Sequence, residues 1–231
     1  MKKIMWIISF IALIGTAIVL QYMPDRVPMH YDMSGNIDRW GSKYENMIFP
    51  IIILLMSLFW TLFIRHYDRK AEKVSDEKES AGARSNAKVI GIAGLCMAAM
   101  FTVMQGFLLY GSYTEAISGA ERETVDIAKV TCILMGIFFI LIGNVMTKTR
   151  INSNVGVRVS WSRYNETTWR KSNRFGAIAI IAAGLLTIIT ATFMKNSFAA
   201  IMIAVFYIIL ASIASVVYAY MVYKKEITEG R

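Results

Sequence analysis

The chain has 231 residues, of which 56% are hydrophobic and only 18% charged, and its mean hydropathy is positive. That balance excludes a soluble globular domain of ordinary composition. The formal net charge of +9 does not by itself announce nucleic-acid binding, because its carriers are bunched between long apolar runs.

Six windows contain no Asp, Glu, Lys or Arg: 4–22, 47–64, 89–114, 130–147, 175–194 and 196–223. The shortest hold 18 residues, roughly 27 Å at about 1.5 Å per residue, which suits a bilayer core of about 30 Å. They predict an all-α integral membrane protein: one domain over 1–231 with six transmembrane helices. The opening Met-Lys-Lys and its apolar run imitate a signal peptide. No small-x-small cleavage site follows, so the run is read as the first helix. Placing the N-terminus in the cytoplasm puts almost every cation inside. Of the 25 Lys and Arg, only Arg26, Arg39, Lys43, Arg122, Lys129 and Lys195 then lie outside. The positive-inside bias therefore predicts N-in/C-in topology.

The first outer loop, 23–46, is dense in turn formers and rings: Pro24, Pro28, His30, Gly35, Asp38, Trp40 and Lys43. Its prolines favour extended backbone and Ser34-Gly35-Asn36 reads as a turn, so two extended pieces should fold back over the outer helix ends. The first inner loop, 65–88, carries mixed charges without Trp. It reads as a solvated helix extension followed by a flexible turn at Ser80-Ala-Gly-Ala83, with no functional role. The second outer loop, around Glu115–Asp126, is short and acidic.

The segment between the fourth and fifth helices stands apart. It carries Arg150, Arg158, Arg163, Arg170, Lys171 and Arg174 together with Trp161 and Trp169, and far exceeds the about two to eight residues of a plain helix connection. Gly156 should permit a turn that sets Arg158 and Trp161 against the helix ends. Asn165 should cap a helix starting near Glu166 that presents Trp169 and Arg170. Asn144, in the fourth helix, reads as a hydrogen-bonding brace to this loop. The last hairpin turns within Lys195-Asn-Ser197, so the fifth and sixth helices must be antiparallel neighbours. Ala211, Ser215 and Ala219 in one, and Ala179, Ala183 and Gly184 in the other, read as packing seams.

Few groups for chemistry remain. His30 and His66 fall on opposite sides of the membrane, and neither a metal spacing, a nucleophile–base set nor a phosphate loop is visible, so no metal or cofactor is expected. Cys96 and Cys132 sit at different depths and read as apolar packers. The charge-free helices lack the mid-membrane Asp, Glu or Lys of ion-coupled carriers. The chain is read as a non-enzyme, with a membrane-surface enzyme or transporter acting on lipid or a small substrate as the alternative.

Two motif groups together resemble one family. The first lies in region 1–64: Pro24-Asp-Arg-Val-Pro28-Met-His30-Tyr31, then Gly35, Asp38, Trp40 and Lys43. The second lies in region 127–194: Gly143-Asn144, then Asn152, Gly156-Val-Arg158, Trp161 and Trp169-Arg170-Lys171. This arrangement is similar to the SdpI family, immunity proteins for the sporulation-delaying-protein toxin of Gram-positive bacteria. The family usually has Thr-Pro where this chain has Val159-Ser160, and commonly Thr-His where it has Ser172-Asn173. The resemblance implies a multi-pass protein of the bacterial cell membrane that confers resistance to a secreted peptide toxin arriving from outside. It also implies signal transduction, in which an ArsR-type repressor is held at the cytoplasmic side. Neither role involves direct contact with nucleic acid. The basic inner surface additionally favours anionic lipids.

Overall fold

Each of the six charge-free windows is helical in the computed structural model, which describes residues 1–151 and 154–229. The helices are α1 (Lys2–Tyr22), α2 (Ile48–Lys73), α3 (Glu77–Ser118), α4 (Ile127–Met146), α5 (Glu166–Phe193) and α6 (Ser197–Glu229). All six are long and apolar enough to cross a membrane, and the protein is a multi-pass membrane protein. Their outer faces expose Ile7, Ile11, Ile14, Leu55, Phe59, Leu62, Ile209 and Ile213. Large apolar side chains in such rows are stable against lipid and would not be against water.

Between α1 and α2 the chain forms an antiparallel hairpin of β1 (Arg26–Tyr31) and β2 (Ile37–Ser42), followed by a 3₁₀ turn over Lys43–Met47. This is the pair of extended pieces expected from the prolines. Val27 is fully buried against Leu20, Met23 and Leu109, so the hairpin lies on the ends of α1 and α3. At that end Ser112 Oγ donates to the carbonyl of Pro28 at 3.2 Å.

Two expectations fail at the helix ends. Ser80–Ala83 is helical, and the reversal lies at Val74-Ser75-Asp76. Asp76 caps α3 by accepting from the Glu79 N–H at 2.7 Å, and Glu77 and Glu79 complement the helix dipole in its first turn. Ser80 Oγ then donates to the carbonyl of Ala71 at 2.7 Å, stapling α3 to α2. At its other end α3 continues through Ser118, so Glu115 is a helical residue and not part of a loop. Gly119 closes the helix in the left-handed region, at φ +66. With 42 residues, α3 is roughly 63 Å long at about 1.5 Å per residue, so its first turns stand clear of the bilayer core.

Packing divides the helices into α1–α3 and α4–α6, joined where α3 meets α4. Hydroxyls link α1 to α2: Ser9 and Ser57 oxygens lie 2.6 Å apart, and Trp6 Nε1 donates to Thr61 Oγ1 at 3.0 Å. Gln105, buried in α3, donates to Thr16 Oγ1 and to the carbonyl of Asn46, each at 3.1 Å. The second group packs on small residues. A Cβ added to Gly136 would come within 2.7 Å of the Gly184 carbonyl, so α4 and α5 touch backbone to backbone there. Ala211, Ser215 and Ala219 are buried as expected, as are Ala183 and Gly184, while Ala179 is only half-buried.

Candidate functional site

At the end of the molecule opposite the hairpin, the chain from α4 to α5 folds into a braced cap. Lys148 and Thr149 N–H groups donate back to the carbonyls of Val145 and Met146, closing α4. The Asn154 N–H donates to Asn86 Oδ1 at 3.0 Å, tying the cap to α3. Gly156 follows at φ +140, a conformation that disfavours any side chain. The turn is held by Asn173 of α5, whose Oδ1 accepts from the Val157 N–H at 2.8 Å while Nδ2 donates to the carbonyl of Trp169 at 2.9 Å. A Cβ on Gly156 would run into the Asn173 side chain. Asn173 stands where the resembling family commonly has His, and here its amide serves as acceptor and donor at once.

The cap next turns through Ser162, wholly buried, whose Oγ donates to the carbonyls of Val157 and Val159. Asn165 caps α5 as expected, in a capping box with Thr168: Asn165 Oδ1 accepts from the Thr168 N–H at 2.8 Å and Thr168 Oγ1 accepts from the Asn165 N–H at 3.0 Å. Ser162 and Thr168 were not singled out from sequence. The signal for Thr168 was there in its position three residues after the cap, while Ser162 has no local signature.

The site residues separate into supports and exposed groups. Trp169 is 2% exposed and its Nε1 donates to the carbonyl of Thr149 at 3.1 Å, so it is a buried strut, contrary to the expectation that α5 presents it. Trp161 is half-buried, edge-on to Tyr220 at 5.0 Å between centroids. Arg158 and Arg170 are exposed. Arg170, with Lys78, Lys148 and Arg150, borders an electropositive cavity of about 510 Å³. Asn144 is not the expected brace: it is exposed, and the hydrogen bond it receives, from Thr147 Oγ1, falls on its main-chain carbonyl. Bracing instead comes from Asn86 and Asn173, which approach from other helices. Asn152 lies outside the described residues.

At the hairpin end, His30 Nδ1 and Asp38 Oδ1 are 2.6 Å apart across the strands, both well exposed. Asp32 Oδ1 accepts from the Ser34 and Asn36 N–H groups, and the Asn36 side chain leads in holding this carboxyl below the ordinary carboxylate range. Gly35 turns the hairpin at φ +77 and rests on Glu123, and its carbonyl accepts from the Glu123 N–H. Pro28 is buried opposite exposed Trp40, and Pro24 is half-buried where α1 gives way to β1. Lys43 Nζ donates to the carbonyl of Met23 at 3.1 Å and pairs with Asp25.

Glu115 was missed by sequence reasoning because an acid just past an apolar window looks like a loop residue. Its side chain is fully buried and accepts from the Tyr31 hydroxyl and the Thr124 N–H, each at 2.6 Å. Burial and then this hydrogen bond push the Tyr31 phenol well above its ordinary value. Burial, with Asp126 nearby, likewise raises Glu123. Among the described residues no three His, Cys, Asp or Glu side chains converge as metal ligands.

Two segments of known kinds cover these regions. Residues 7–54 match a domain of unknown function, DUF1648, and residues 148–223 match the SdpI/YfhL protein family. The second match makes the C-terminal third of the chain similar to the SdpI family. The SdpI/YfhL segment begins directly after α4 and takes in the cap, α5 and the apolar length of α6, while the other takes in most of α1, the hairpin and the start of α2. The chain is also 25% identical over 228 residues to immunity protein SdpI of Bacillus subtilis (strain 168), covering 97% of this chain and 98% of that protein. No solved structure matches this chain.

Proposed function

We propose that this protein protects its host bacterium against a secreted, membrane-active peptide. The observation that carries this reading is the end-to-end likeness to an immunity protein, with the hairpin and cap segments in the same chain order. The polar-poor helix interiors support it further, since a carrier would place ionisable groups at mid-membrane. The distribution of cations supports N-in/C-in topology. In that orientation the hairpin, with Pro24, Pro28, His30, Gly35, Asp38, Trp40 and Lys43, meets the peptide from outside. The cap, with Arg158, Trp161 and Arg170 on a frame of Gly156 and Trp169, faces the cytoplasm, with Asn144 near the end of α4. Trp and Arg are the residue types that dominate binding hot spots, so the cap suits a docked ArsR-type repressor.

The test is survival. The gene is expressed in a bacterium sensitive to secreted membrane-active peptides, and killing is measured against a vector control. Protection against at least one peptide, lost on deleting the hairpin tip, is expected. Unchanged killing across the peptide panel, with the protein inserted in the membrane, would sink the reading.

A further inference from the structure

Beside the cap, α4, α5 and α6 leave a groove of about 370 Å³ in the wall of the bundle. Phe138 and Ile142 of α4, Ile180 of α5, and Ala211 and Val216 of α6 line it, and Arg158 of the cap stands among them. Among the described residues no Asp or Glu borders the groove. Arg158 is exposed, and among the described residues its guanidinium has no ion-pair or hydrogen-bond partner. From Phe138 to the end of α4 at Met146 is about 12 Å of helix. The groove therefore starts at the level of the helix ends and continues into hydrocarbon depth. Trp161, packed on Tyr220, marks the head-group level beside it.

A guanidinium beside an apolar wall in a membrane is costly unless an anion meets it. Water fills an apolar cavity poorly, whereas a hydrocarbon chain fills it without exposing polar groups. The planar fork of arginine matches two phosphate oxygens. We propose that this groove is a binding site for a single anionic phospholipid, with one acyl chain along Phe138, Ile142 and Val216 and the phosphate on Arg158. The site rests on the groove and its unpaired cation and not on the immunity reading, so either can fail alone.

Native mass spectrometry of the full-length protein, released from detergent with phosphatidylglycerol or phosphatidylcholine of identical acyl chains, tests it. The wild type should retain one phosphatidylglycerol under activation that strips phosphatidylcholine. Arg158→Ala should lower the retained fraction at least fivefold. Ser212→Phe, placed at the exposed rim to fill the groove while Arg158 stays, should do the same. Lys3→Ala, which removes a different exposed cation, should leave retention unchanged. Equal retention of the two lipids by the wild type overturns the proposal and needs no variant. Retention by a folded Ser212→Phe or Arg158→Ala protein equal to wild type also overturns it. Retention of neither lipid overturns it as well.

Discussion

Removing the Glu115 carboxylate should unfasten the hairpin from the helices. Two donors converge on it, the Tyr31 hydroxyl and the Thr124 N–H, both at 2.6 Å, and the side chain has no exposed surface. Hydrogen bonds to a charged group contribute about 1.5–3 kcal/mol each, and donors that reach water recover part of the loss. Thr124 is an exposed residue and Tyr31 is half-buried, so Glu115→Ala should lower stability by about 3 kcal/mol and not by the full sum. Glu115→Gln keeps one acceptor but turns an amide N–H₂ toward the other donor, and should lose about half as much. The assay is urea unfolding in detergent, paired with tryptic cleavage after Arg39 as a reporter of hairpin release. A double-mutant cycle with Tyr31→Phe should return a coupling above about 1 kcal/mol. The titration of Tyr31 gives a second reading. Its folded pKa is raised, so the stability drawn from the neutral phenol is fully present below about pH 10 and lost as pH climbs through the folded value. The difference in phenolate absorbance between wild type and Tyr31→Phe should therefore stay near zero at about pH 10. A Glu115→Ala protein within about 0.5 kcal/mol of wild type, with unchanged proteolysis, would refute the reasoning.

Three further outcomes are expected. Gly156→Ala must accept φ +140 and displace Asn173, so it should destabilise the protein by about 1–3 kcal/mol, measured by thermal unfolding; an unshifted melt would show that the turn tolerates a side chain. Arg158→Lys keeps the charge but not the fork, so it should lose nearly as much protection as Arg158→Ala while inserting normally; full protection by Lys would reduce Arg158 to a topological charge. With Cys96 and Cys132 replaced by Ala, single cysteines at Ser34, Ser75 and Ser160, all exposed positions, should be labelled by an impermeant reagent in intact cells only at Ser34. Ser80 and Ser162 cannot serve as probes, because both are buried. Labelling at Ser160 in intact cells would reverse the topology.

Spans and caps were legible without coordinates because they depend on local chemistry. A run free of charge and long enough to cross a bilayer has one stable solution in lipid, a helix that satisfies its own backbone. Likewise, the prolines and Gly35 of the hairpin, and Asn165 three residues before Thr168, act on neighbours in sequence. Ser80–Ala83 was misread because its Gly and Ser look like a turn, while Asp76 and the contact of Ser80 with Ala71 hold it helical. The motif residues could be named from sequence, but not their roles. Trp169 and Arg170 are adjacent, yet one is a buried strut and the other a surface cation, because successive helical positions face different sides. Asn144 and Asn173 are the same residue type, and only packing decides that Asn173 meets the backbone of the cap. Glu115 and Tyr31 are 84 positions apart, and a buried carboxylate is distinguished from a solvated one by what folds over it. Sequence alone determined which six segments are long and apolar enough to cross a membrane, since hydrophobic length and charge are properties of single segments. Tertiary structure alone decided which polar groups became struts and which were left facing outward, since burial is a property of segments brought together.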